Sequence, residues 1–118
     1  MTTLHYLLNS NGEPYPEPDL TKWAVGFEGL SRIVGQDNLG KYTAVSTVFL
    51  GLDHNFGGEG PPILWETMVF KNSDDPDAPD GTYSERCSGS REQAEAMHLK
   101  VLTLEINRMK IEDNERHK

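Results

Sequence analysis

Between residues 31 and 90 the chain lays down β-rich runs, and none of the stretches between them can hold a crossover helix. Parallel neighbours need a crossover of a dozen or more residues, usually helical, so these runs are expected to pair antiparallel. "SRIVGQDNLGKYTAVSTVFLGL" reads as a hairpin with its turn between Gly35 and Gly40, followed by the longest strand, residues 41–52. "PILWETMVF" is the next strand, with Pro61 and Pro62 confined to its entrance. Along it Ile63, Trp65, Thr67 and Val69 share one face, while Leu64, Glu66, Met68 and Phe70 share the other. "KNSDDPDAPDGT" is a polar, proline-broken loop, and "YSERCS" reads as a final edge strand.

The flanks are of different character. "LHYLL" has the makings of a short first strand and is followed by a turn, then by "EPYPEPDL", whose prolines forbid a helix and a central strand. Asp19 stands as N-cap to a short helix bearing Leu20, Trp23, Val25 and Phe27. At the other end Ser90 and Gln93 make a capping box. Ala94, Met97, Val101 and Leu104 then recur at helical spacing, with Leu102, Ile106 and Met109 widening the stripe. Past Ile111, "EDNERHK" is polar and reads as a frayed, disordered tail.

The expected fold is therefore α+β: one antiparallel sheet of about four strands with a C-terminal amphipathic helix packed on one face. A single domain over residues 1–118 is expected, with an extended N-terminal segment (1–19), a core (20–111) and a tail (112–118). The N-terminus has no basic region followed by a long apolar segment, and no run of 18 apolar residues occurs, so a soluble intracellular protein is expected. The sole cysteine, Cys87, has no internal disulfide partner, which suits a reducing compartment.

Charge excludes one class of partner. The net charge is −8, and residues 91–118 are neutral, with six bases and six acids. The whole excess lies in residues 1–90, thirteen acids against five bases. Such a surface repels phosphate, so direct nucleic-acid binding is disfavoured; the plainer reading is that the charge maintains solubility, and if it serves a partner, a basic protein surface is the expected one. The acidic run Asp74, Asp75, Asp77 and Asp80 reads as a solvated turn and is the candidate interaction surface for such a partner. It resembles a calcium loop in composition only, since Pro79 and the missing glycine and glutamate break the required spacing.

The connection between residues 51 and 61, "GLDHNFGGEGPP" with its flank, is longer than the two to five residues that usually join antiparallel strands. Four glycines give it conformational freedom, and a strand follows it, so phosphate-cradle motifs fail on context. Asp53, His54, Asn55 and Phe56 lie in the loop, and Trp65 and Glu66 on the strand after it; these six are the ligand- or partner-binding candidates. A Glu66 or Asp53 carboxylate beside His54 is the strongest chemical pairing the chain offers. The competing reading is structural: Asp53 and Asn55 tie the loop to its own backbone. No nucleophile elbow is present, and His5, His54, His98 and His117 lack metal-ligand spacing, so no catalytic residue, metal or cofactor is assigned. His98, on the helix, can approach the sheet and is read as a packed side chain.

"VSTVFLGLDHNFGGEGPPILWETMVF" followed by "YSERCSGSREQAEAMHLKVL" resembles a family of small, functionally uncharacterised proteins of tailed bacteriophages, marked by a "GLDHNFG" strand end, a proline step and "ETMVF". The likeness covers about half the chain and implies the cytoplasm of an infected bacterium, with no catalytic residues to carry over. Two occupations remain open. One is binding to a host protein, as an inhibitor of a host or defence factor; the other is small-molecule binding, sequestration or minor catalysis in a pocket between the 51–61 loop and the 62–70 strand. No membrane partner is expected, and a homodimer can form through an edge strand or the long helix.

Overall fold

A computed structural model describes residues 4–40, 43–71 and 83–116. Strands β1 (Tyr6–Leu8) and β2 (Pro14–Pro16) form a small antiparallel hairpin, followed by helix α1 (Leu20–Glu28). Strands β3 (Ile33–Leu39), β4 (Thr43–Phe49), β5 (Trp65–Lys71) and β6 (Tyr83–Cys87) then pair in that order as a four-stranded antiparallel sheet, and helix α2 (Arg91–Arg116) packs against all four. The α+β architecture is the expected one.

Period-two alternation decides which side of the sheet is covered. Val45, Thr47 and Phe49 of β4, and Trp65, Thr67 and Val69 of β5, are completely buried. They lie in register beneath Ala94, Met97, His98, Val101 and Glu105 of α2. Phe49, Leu64, Trp65, Ala94 and Met97 form one core cluster, joined at its edge by Tyr6, Leu8, Phe27, Leu30, Val34 and Cys87. Val45, Val69 and Val101 form a second. Each large side chain so buried contributes about 1.5–3 kcal/mol of transfer free energy. On the other face, Phe70, Gln36 and Asn38 remain exposed, and Glu66 is the one buried acid of β5.

Both helices begin where their caps predict. The Asp19 carboxylate accepts from the N–H groups of Thr21 and Lys22 at 3.0 and 3.1 Å. The Gln93 side chain accepts from the Ser90 N–H at 3.1 Å. Trp23 stacks on Phe27 with ring centroids 4.9 Å apart, and its indole N–H donates to the Tyr6 carbonyl, pinning α1 to the N-terminal hairpin.

Two expectations are corrected. The β3–β4 turn does not start at Gly35; β3 runs on to Leu39, with Gly35 at a register shift inside the strand. The glycine is there because the His98 ring lies on it, a Cβ at this position falling 3.0–3.1 Å from three ring atoms. Nor does α2 fray at Ile111: its backbone continues to Arg116, with no proline or glycine in the way.

Candidate functional site

The loop after β4 is built inward from its ends. Leu50 N–H donates to the Leu64 carbonyl at 2.7 Å and His54 N–H to the Ile63 carbonyl at 2.8 Å, closing the base. Gly51 adopts φ 72° and sits against the Phe27 ring, while its carbonyl accepts from Tyr6 N–H. Asp53 N–H donates to the Leu4 carbonyl, so the N-terminal segment forms one wall.

Asp53 then organises the tip. One carboxylate oxygen accepts from Asn55 N–H at 2.7 Å and Ile63 N–H at 2.9 Å, and the other from Gly57 N–H at 3.1 Å. Burial pushes this acid's pKa up. The three N–H donors, with His54 adding to them, outweigh that effect and hold the carboxyl below its ordinary 3.8. Asn55 donates from its side chain to the Glu59 carbonyl at 2.8 Å. Both residues are thus engaged with the loop's own backbone.

That leaves the tip's aromatic. Phe56 has φ 50°, a left-handed conformation rare for a side chain of its size, and it is 72% exposed. The half-buried ring of His54 lies tilted against it at 5.7 Å.

The remaining candidates are dispersed. Glu66 does not serve His54; β6 sets Arg86 directly across the strand pair, and Arg86 Nε sits 2.6 Å from the Glu66 carboxylate. Trp65 is wholly buried, packs on Phe49 and donates its indole N–H to the Gly89 carbonyl at 2.8 Å, so it is a core residue rather than a contact. Its place on the α2-facing side of β5 explains why. Asp74, Asp75, Asp77 and Asp80 lie outside the described residues.

A cleft of about 600 Å³ opens beside the loop. Asn55, Glu59, Pro61 and Ile63 line it from the loop, Arg86, Cys87 and Ser88 from the end of β6, and Gln93 from α2. Burial raises the Cys87 thiol's pKa and Glu85 raises it further, so the sulfur stays protonated near neutrality and is no activated nucleophile.

A second polar cluster lies between sheet and helix. His98 Nε2 is 2.7 Å from an Asp37 oxygen, His98 Nδ1 is 2.7 Å from Thr47 Oγ1, and Thr47 is hydrogen-bonded in turn to Thr67. An acid, an imidazole and a hydroxyl in series is the order of a nucleophilic relay. Here the hydroxyl is sealed between sheet and helix with no exposed surface, so no substrate reaches it. His98 meets the sheet as its helix position implies, but its partners Asp37 and Thr47 lie 61 and 51 residues away and are not given by local spacing. A partial signal was present: residues 94, 98, 101 and 105 share one helix face, and Thr47 and Thr67 share the buried face of adjacent strands. Glu105, the second buried polar residue of that stripe, faces Lys71 and Arg108 at 3.6 and 3.5 Å.

Among the described residues no three His, Cys, Asp or Glu side chains converge on a metal position, and no helix is long and apolar enough to cross a membrane. No protein-family model, curated protein or solved structure matches the chain.

Proposed function

We propose that the protein acts by binding another protein, and that the tip of the 51–61 loop makes the contact. The observation that carries this reading is Phe56. A left-handed backbone costs a non-glycine residue about 1–2 kcal/mol. An exposed Phe also forgoes about 1.5–3 kcal/mol of burial. Asp53 nonetheless grips the backbone on both sides of Phe56 and holds its ring in solvent. Preorganised aromatic anchors of this kind are what interface hot spots use. The surplus of acids in residues 1–90 favours a basic partner surface and works against nucleic acid. The likeness of residues 45–70 and 83–102 to small phage proteins supports a host protein in an infected bacterium's cytoplasm as that partner.

Tagged protein mixed with extract of the host should retain one stoichiometric partner, with Phe56→Ala weakening the affinity on the order of 30-fold or more. Equal retention by a folded Phe56→Ala variant would sink the proposal.

The cleft favours a second reading, a small polar ligand held against Arg86, Ser88 and Gln93. A metabolite seen bound in native mass spectrometry, and lost on Arg86→Gln while Phe56→Ala retains it, would favour this reading over the first.

A further inference from the structure

We infer that the outer face of α2 seats a second copy of this chain, the two helices packing antiparallel about a two-fold axis. The helix carries two seams. Ala94, His98, Val101 and Glu105 turn toward the sheet and are buried. On the opposite side Glu92, Ala96, Leu99, Thr103, Ile106 and Lys110 follow one another at intervals of four and three, the spacing that packs one helix against another. All of these except the half-buried Ile106 are exposed, Leu99 by 63%.

Local detail makes the middle of this seam more apolar than its sequence. The Thr103 hydroxyl donates to the Leu99 carbonyl one turn back at 2.8 Å, which satisfies it within the helix. A shallow groove of about 430 Å³ runs between Ala96, Leu99, Thr103 and Leu104, with Lys100 at its border. An exposed apolar groove of this kind marks an interaction surface.

Charge selects the occupant. The seam is acidic at its start, apolar in the middle and basic at its end. An antiparallel copy centred on the level of Val101 sets Glu92 against Lys110, small Ala96 against Ile106, and Leu99 against Thr103, each pair occurring twice. A parallel copy instead stacks Glu92 on Glu92 and Lys110 on Lys110. Antiparallel packing also opposes the two helix dipoles. Residues 91–118 are electroneutral whereas residues 1–90 hold the entire −8, so helix against helix is the approach that brings two copies together with least repulsion. This surface is separate from the Phe56 loop and stands whether or not that loop binds a partner.

Sedimentation equilibrium of the full chain should give twice 13.2 kDa. Leu99→Glu should weaken the dimer on the order of 30-fold or more, as loss of an interface anchor does. Glu92→Lys and Lys110→Glu should each weaken it about tenfold or more by setting like charges together, and the doubly reversed chain should recover wild-type affinity. Rescue cannot arise within one helix, because 18 residues separate the two positions by about 27 Å. Circular dichroism establishes that each variant is folded. A chain still monomeric at a concentration on the order of 100 μM, where micromolar dimers are formed, overturns the inference. So does a dimer indifferent to Leu99→Glu, or one that the double reversal leaves broken.

Discussion

His98 and Asp37 are joined across the sheet–helix boundary, with Nε2 of the imidazole 2.7 Å from Oδ2 of the carboxylate. An ionised carboxylate only accepts, so Nε2 carries the proton; in the neutral ring Nδ1 then accepts from the Thr47 hydroxyl at 2.7 Å. One side chain of α2 is thereby tied to β3 and β4, and through Thr47 to Thr67 of β5.

His98→Ala removes the acceptor of the buried Thr47 O–H, leaving Thr67 as its one remaining side-chain partner, and opens a cavity. Urea unfolding should show a loss of about 2–4 kcal/mol. Asp37 is half-exposed, so Asp37→Ala should cost less, about 1 kcal/mol or below. Equal losses from the two would show that the buried hydroxyls are not what the relay satisfies.

The two glycines that admit rings close to backbone should be intolerant. Gly35→Ala places a methyl 3.0–3.1 Å from the His98 ring and should cost about 1–3 kcal/mol. Gly51→Ala suffers twice, from φ 72° and from overlap with Phe27, and its loss of thermal stability should exceed that of Gly35→Ala.

Asp53 confers an acid-dependent stability of definite sign. Its folded pKa is below 3.8, so the unfolded chain binds the proton more readily. The carboxylate therefore stabilises the fold above about pH 4, and this contribution is lost as pH falls through the depressed folded pKa. Asp53→Asn keeps the shape, but with its amide oxygen toward Asn55 and Ile63 its NH2 meets the Gly57 N–H. Chemical unfolding at pH 7 should show a deficit of about 1–3 kcal/mol. Repeated at successively lower pH, the gap between variant and wild type should narrow.

Phe56 should display opposed effects on stability and binding. Asparagine tolerates the left-handed region, so Phe56→Asn should hold or raise stability, by up to about 1 kcal/mol, even though the His54 contact is lost. The same variant should fail to retain the partner. A clear drop in melting temperature would mean that the ring is there for the loop's own sake.

Much of the frame was legible because it depends on short-range rules. Antiparallel pairing followed from connections unable to hold a crossover helix, the α1 and α2 starts from Asp19 and from Ser90 with Gln93, and the grouping of Trp65, Thr67 and Val69 on one face of β5 from simple alternation, though not which face is buried. The long 51–61 connection could be singled out by its length alone. What its residues do could not, because Asp53 is answered by Ile63 ten positions away and Glu66 by Arg86 on a strand whose register the sequence does not specify. Gly35 read as a turn for the same reason: its neighbour is His98, brought over it only when α2 docks. Periodicity and capping are written within a few residues of where they act, so the sequence by itself determined the elements and their faces. Hydrogen-bond partners far apart in the chain depend on how those faces meet, and only the tertiary structure decided that Glu66 faces Arg86, that Trp65 is core, and that Phe56 is left in water.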